Sequence, residues 1–243
     1  MRKPRVCGSI LSGSIIFMEY IFFKDASPTE GSSIEGVNIP KSQVGFRKMC
    51  TICDAAETLF DQKGFYETSV VDICRLAKTA VGTFYIYFTD KTAIYTYLVK
   101  NYYVVIKQYL NKHIKHCKTR YEMEREGIKA YIRFGLTHPQ CYKIIWGSSH
   151  INPVLFEDYY TRFAKSYIAA LERFRCELID IDYSTAEWLL MGVANFICLK
   201  AIMTHKRLLE RELNAMVDDI MKILSVGLFR KPHPAAKPKK KKI

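Results

Sequence analysis

From residue 44 onward the apolar residues recur at spacings of three and four, and no segment alternates apolar and polar residues as a half-buried strand would. In 44–63, Phe46, Met49, Ile52, Cys53, Ala56, Leu59 and Phe60 share one helical face, and Gly64 ends the pattern as a C-terminal cap would. Ser69 is placed to cap a short helix whose Val70, Ile73, Cys74 and Ala77 share a face. Another short segment follows, then a long helix from Asp90. Beyond Lys118 the same period predicts helices over 121–137, 139–146, 153–178, 184–204 and 206–228. These lengths describe an all-α protein: three N-terminal helices joined by a long helix to a larger helical domain.

One stretch has a different composition. "TAVGTFYIYFTDK", residues 79–91, is β-branched and aromatic like a strand. On a helix, Ala80, Phe84, Tyr87 and Phe88 fall together and continue the apolar face of the preceding short helix after a sharp turn. A lone strand among helices has nothing to pair with, so a helix is expected against local propensity.

The 243 residues are 49% apolar, enough to fill a real core, and carry a net charge of +13. Seven cations sit in the acid-free stretch 230–243; removing those +7 from +13 leaves +6 elsewhere, a mildly basic body that suits a polyanionic partner. That lysine-rich end reads as a disordered tail. At the other end "MRKPRV" precedes "CGSILSGSIIFMEYIFF", the charge-then-apolar order of a signal peptide. Glu19, the missing A-x-A-like site and a run short of the ~20 apolar residues of a spanning helix favour an extension or an upstream start. With the Ser-, Gly- and Pro-rich 26–43 it makes a disordered arm over 1–43, and structure is expected after it. The eight cysteines (Cys7, Cys50, Cys53, Cys74, Cys117, Cys141, Cys176, Cys198) mostly lie on apolar faces, as reduced thiols of a cytoplasmic protein do; no membrane partner is expected.

Two short helices joined by about four residues and braced by a longer one make a helix-turn-helix, whose second helix enters the major groove. Here the sequence resembles a known family. "ICDAAETLFDQKGFYETSVVDICRLAKTAVGTFYIYFTDKTAI", residues 52–94, is similar to the DNA-binding domain of TetR/AcrR transcriptional regulators. The similarity runs through the aliphatic-x-x-Ala-Ala-x-x-Leu-Phe pattern, the Gly64 stop, "TSVVDI", Gly82-Thr83-Phe84-Tyr85, Tyr87-Phe88 and Lys91. It implies a DNA-binding domain over 44–91 and a ligand-binding and dimerisation domain over 92–229. "HPQCYKIIWGSSHINPVLFEDYYTRFAKSYIAALERF" resembles the second domain in a subset of the family. The chain departs from the family at Lys78, which replaces a turn glycine, at Val81, where a basic residue is common, and at Tyr87, where histidine is frequent.

The resemblance implies DNA contacts by Thr68, Ser69, Val81, Gly82, Thr83, Tyr85, Tyr87 and Lys91, with Thr68, Tyr87 and Lys91 on phosphates. No Arg, Lys, Asn or Gln lies between Ala80 and Phe88, so the bidentate partners of guanine and adenine are missing. The expected operator is A·T-rich double-stranded DNA, read through thymine methyls by Val81 and Thr83 and through shape, with Lys41, Arg47 and Lys48 near the arm reaching phosphates. Phe84 and Phe88 are expected in the core.

A palindromic site requires two recognition helices one DNA turn apart, hence a homodimer. Leu189, Leu190, Val193, Phe196 and Ile197, with small Gly192 and Ala194, offer one surface; Val217, Ile220, Met221, Ile223 and Leu224 offer the other. The resemblance further implies a small-molecule effector that releases the operator. Phe134, Trp146, Tyr160, Phe163, Tyr167 and Met191 suit an apolar pocket for a hydrophobic or amphipathic molecule such as an acyl thioester, drug or aromatic. No cofactor is expected.

Three other chemistries compete. Cys50 and Cys53 form a C-x-x-C without a βαβ context, so buried, inert thiols are expected. In "HIKHC", His113, His116 and Cys117 share a helical flank and could serve a metal-sensing regulator, with His138 and Cys141 as a second pair. An architectural DNA-binding protein without an inducer is the third. An enzyme is not expected: there is no P-loop, G-x-G-x-x-G or H-E-x-x-H, and "WGSSH", 146–150, lacks the nucleophile-elbow pattern and reads as a loop between helices.

Overall fold

The computed structural model describes residues 34–204 and 208–226. The expectations for the apolar N-terminus, Cys7 and the tail 230–243 lie outside these residues. Within them the fold is all-α, with nine helices: α1 Gln43–Lys63, α2 Val70–Leu76, α3 Val81–Tyr87, α4 Lys91–Ile114, α5 Arg120–Thr137, α6 Pro139–Ile151, α7 Pro153–Arg173, α8 Tyr183–Met203 and α9 Glu210–Val226.

Local chemistry explains the boundaries. Ser42 Oγ accepts the Gly45 N–H at 3.1 Å to start α1, and Gly64, at φ 82, ends it while donating its N–H to the Phe60 carbonyl. Ser69 and Asp72 form a capping box at α2, and Thr119 and Glu122 form another at α5. Asp90 accepts the Ala93 N–H at 2.8 Å to open α4, whose 24 residues extend about 36 Å.

The core crosses the expected domain boundary. Met49, Ile52, Phe60, Ile73, Phe84 and Phe88 join Ile94, Leu98 and Tyr102 of α4, together with Ile144, Leu155 and Met191 from α6, α7 and α8. A second cluster, including Ile128, Ile132, Cys198, Val217 and Ile220, fills the space between α5, α8 and α9. Helix α1 rests directly on α6 as well as α4. There Tyr102 Oη donates to Glu57 Oε1 at 2.9 Å, and the Cys141 thiol donates to the same oxygen at 3.7 Å.

Three expectations change. The segment "WGSSH" is not a loop: Trp146 to His150 are helical, within α6. Ser148 and Ser149 donate their hydroxyls to the Ile145 and Trp146 carbonyls, at 2.5 and 2.7 Å, and so remain compatible with helix. The break falls instead at Asn152, which receives the end of α6 and accepts the Leu155 N–H at 3.1 Å to start α7, with Pro153 in the first turn. Helix α7 ends at Arg173 and not at Leu178, with a 3-10 turn over Arg175–Glu177. Structure also begins before residue 43, because 34–40 lie against α3 and α4: Val37 pairs with Phe88 in an isolated antiparallel bridge, and the Asn38 N–H donates to the Tyr87 carbonyl at 2.8 Å.

The turn between α2 and α3 is made without its glycine. Lys78 sits at φ 51, and the Thr79 N–H donates to the Cys74 carbonyl at 3.0 Å, the six-to-one bond of a Schellman motif. A non-glycine residue there costs about 1–2 kcal/mol. Glycine loses roughly 0.5–1 kcal/mol more chain entropy on folding. Lys78→Gly is therefore expected to stabilise the protein by about 0.5–1 kcal/mol, read as a higher urea midpoint; a lower midpoint would contradict the strain.

Burial, and secondly the neighbouring Glu57, push the Asp54 carboxyl from its ordinary 3.8 up to about 7. Between those values the folded chain holds a proton that the unfolded chain has released, so this group's contribution to stability is lost as pH rises through that window. Asp54→Asn should gain thermal stability relative to the parent between pH 5 and pH 8. A difference in melting temperature that stays constant over that range would disprove this.

Candidate nucleic-acid interface

Helix α3 divides cleanly. Phe84 is fully buried and Phe88 nearly so, whereas Tyr85 and Ile86 are more than half exposed and Val81 is exposed beside them. A Cβ added to Gly82 would meet no protein atom within 4 Å, so packing does not require a glycine there. Val71 and Leu76 of α2 and Tyr66 in the preceding turn are exposed as well. The outward side of the helix-turn-helix is thus rich in apolar groups and hydroxyls, with Arg47 and Lys48 exposed on α1 and Lys41 just before it.

The residues expected on phosphates are differently placed. Thr68 is buried, and its hydroxyl donates to the Gly64 carbonyl at 2.7 Å, closing the turn after α1. Tyr87 is buried on the inner face of α3. Lys91 donates to the Phe65 carbonyl at 2.6 Å and lies 4.3 Å from the centre of the Phe65 ring, and burial lowers its pKa. It clamps the α1–α2 turn to the start of α4. Ser69 exchanges hydrogen bonds with Asp72, whose carboxyl is held well below the usual range by hydrogen bonds from Lys63 and Ser69. Thr68, Tyr87 and Lys91 hold the reading head together from within and the exposed Ser69 caps α2, while Val81, Gly82, Thr83 and Tyr85 lie on the accessible helix. Ile86, which the helical register places outward beside Tyr85, is exposed with it.

Behind this head, aromatic rings run in contact from Trp146 through Phe156, Tyr160 and Tyr159 to Phe163 and Tyr103. Met191 is buried in the same cluster. Two of the expected pocket residues are engaged elsewhere: Phe134 stacks on His138, and Tyr167 donates to the buried Glu124 carboxylate, which also pairs with Arg120. A cleft between α4 and α7 is lined by Val99, Tyr103, Leu155, Asp158, Tyr159 and Arg162. The Tyr159 hydroxyl is buried there without a hydrogen-bond partner.

Of the residues expected at a dimer surface, some are exposed and others are internal. Leu189 and Phe196 are more than half exposed, Val193 is partly buried, and Gly192 faces open space. Val217 and Ile220 are buried against α5 and α8, so they are intramolecular core; Leu224 is partly buried beside them. The metal alternative fails on geometry: among the described residues no three His, Cys, Asp or Glu side chains are placed to hold an ion. The His113 ring packs on Tyr109 and bonds its carbonyl at 2.8 Å, so it does not converge with His116 and Cys117.

Residues 52–98 match the family model of bacterial regulatory proteins, tetR family. A comparison with curated proteins gave no match. Among solved structures the chain is similar to the fatty acid degradation regulator FadR from Bacillus halodurans, with a TM-score of 0.66 and 16% identity over 78% of this chain and 98% of that one. It is similar to a TetR-family transcriptional regulator from Syntrophomonas wolfei str. Goettingen, with a TM-score of 0.65 and 24% identity over 76% and 97%. It is also similar to FadR from Bacillus subtilis in complex with stearoyl-CoA, with a TM-score of 0.59 and 16% identity over 74% and 98%. At these identities the structural likeness establishes the fold, and the family match is confined to the reading head: residues 52–98 are similar to the DNA-binding domain of the tetR family of bacterial regulatory proteins.

Proposed function

We propose that this chain is a cytoplasmic, homodimeric repressor that occupies a palindromic, A·T-rich operator and leaves it when a hydrophobic or amphipathic small molecule binds the helical domain. The observation that carries this reading is the outward face of α3, where Val81, Gly82, Tyr85 and Ile86 are exposed. With no long cation on that helix, thymine methyls and groove shape are the features it can read. Residues 44–91 form the reading head. Residues 92–229 carry the effector and dimer surfaces, with Leu189, Gly192, Val193 and Phe196 of α8 meeting their copies.

The effector proposal rests on the aromatic interior and on Tyr159, whose buried, unpartnered hydroxyl in the α4–α7 cleft is a polar group awaiting a ligand. A long-chain acyl thioester is the first class to test, since the Bacillus subtilis FadR structure holds stearoyl-CoA. Release then requires that the effector bind more tightly to the form whose two heads misfit the operator.

Selection of bound duplexes from a random pool by the full chain should enrich a palindrome with A·T-rich half-sites. Tyr85→Ala should weaken that complex roughly tenfold or more, the scale of one direct base-edge contact, without changing the melting temperature. Enrichment of no sequence, with steeply salt-dependent binding to every duplex, would favour the architectural reading. For the effector, Tyr159→Phe should leave stability unchanged or raise it by up to about 1 kcal/mol, because an unsatisfied buried hydroxyl is removed. The same variant should need more stearoyl-CoA than the parent to release the operator; identical release curves would exclude Tyr159 from the effector site.

A further inference from the structure

We infer that residues 36–38, which precede the helix-turn-helix, form a strap that positions α3 for DNA reading, with Asn38 as the positioning residue. This rests on α3 being the DNA-reading helix.

Helix α3 is poorly equipped to hold its own shape. It has seven residues of low helix propensity, and Ala80 provides no side-chain cap. Its last carbonyls need donors from elsewhere. Asn38 supplies two: its backbone N–H donates to the Tyr87 carbonyl at 2.8 Å, and its side-chain Nδ2 donates to the Ile86 carbonyl at 3.0 Å. The Thr89 N–H donates in return to the Gly36 carbonyl at 2.9 Å. The strap therefore grips the backbone of the turn that carries exposed Tyr85 and Ile86.

Gly36 makes the approach possible. It sits at φ 73, and a Cβ there would stand 2.4 Å from Thr89 Oγ1 and 3.0 Å from the Ala93 Cβ. Ile34 and Val37 pack on the core and anchor the strap on either side of this glycine. A segment serving only to fill the core would need those two side chains and not the Asn38 amide, which is exposed and spends its donor on α3.

The experiment compares the full chain with Asn38→Ala and Asn38→Asp, the second keeping the size of the side chain but placing an acceptor against the Ile86 carbonyl. Amide hydrogen exchange, binding to the selected operator, binding to an unrelated duplex at the same salt, and melting temperature are read together. Both variants should lose roughly three- to tenfold in operator affinity and exchange faster at residues 85–88, with unrelated-duplex binding and melting temperature unchanged. Unchanged exchange at 85–88 overturns the inference. So does faster exchange throughout α1 to α3 with a lower melting temperature, which marks a general folding role. If the parent itself enriches no operator, the DNA-reading proposal fails separately, and the exchange pattern alone decides whether the strap holds α3.

Discussion

Helix α4 is shared by both halves of the molecule, and two buried tyrosines on it tie those halves together. Tyr95 donates to the Ile144 carbonyl of α6 at 2.5 Å, while Tyr102, two turns along, donates to Glu57 of α1. The phenol of Tyr95 also lies close to where a side chain on residue 147 would go: a Cβ there would stand 3.0 Å from its oxygen, so glycine lets α6 approach without displacing the phenol. Glu57 is the costly member. Burial pushes its carboxyl up, and the hydrogen bonds from Tyr102, Cys141 and Gln140 only partly offset this. A carboxyl in such a site fits one arrangement of three helices and penalises others, because any slip strands its oxygens. Through Glu57 and Tyr102, α1, α4 and α6 share one set of hydrogen bonds.

Much of this could be read from the chain. The three-and-four spacing located the described helices, although it ended α6 five residues early and α7 five residues late and started α9 four residues early, and it overruled the strand-like composition of residues 79–91 correctly, with Phe84 and Phe88 in the core. Periodicity was less informative where a polar residue occupied an inward position. Glu57 lies on the same stripe as Cys53, Ala56 and Phe60, yet a glutamate in that stripe gives no sign of the Tyr102 that receives it. The same limit hid the extent of α6, because two serines and a glycine look like a loop unless their carbonyl partners and close neighbour are known. Thr68, Tyr87 and Lys91 show the complementary problem. Their residue types suit phosphates and equally suit internal carbonyls and core, and only three-dimensional placement separates the two.

Helix α8 shows how one element can serve two surfaces. Tyr183–Met203 is long and apolar enough, by length and composition alone, to cross a membrane. Its inward side is committed to the protein: Ala186, Met191, Cys198 and Ala201 are buried, and Asn195 accepts from Tyr131 at 2.8 Å. Gly135 of α5 leaves the space that the Cys198 sulfur fills. The outward side keeps Trp188, Leu189, Phe196 and Met203 exposed, which gives the helix no polar face of its own. A helix apolar all round is stable in water only when both sides are covered. A second copy of α8 matches that need under the proposed dimer, with Gly192 permitting close approach.

The composition of α3 also explains why an external brace matters more here than on a cation-rich recognition helix. A long arginine can adjust several torsions to reach a guanine edge, so small errors in helix placement are absorbed by the side chain. Valine, threonine and tyrosine have little such reach, and methyl-to-methyl attraction loses a quarter to a half of its strength over a gap of roughly 0.5–1 Å. A reading head that works through short side chains must therefore be held accurately by its backbone. Helix α3, seven residues long and without a side-chain cap, does not provide that accuracy alone. It is supplied from one side by Phe84 and Phe88 in the core, and from the other by the two bonds of Asn38. The absence of arginine from α3 and the presence of the strap are, physically, two parts of one solution.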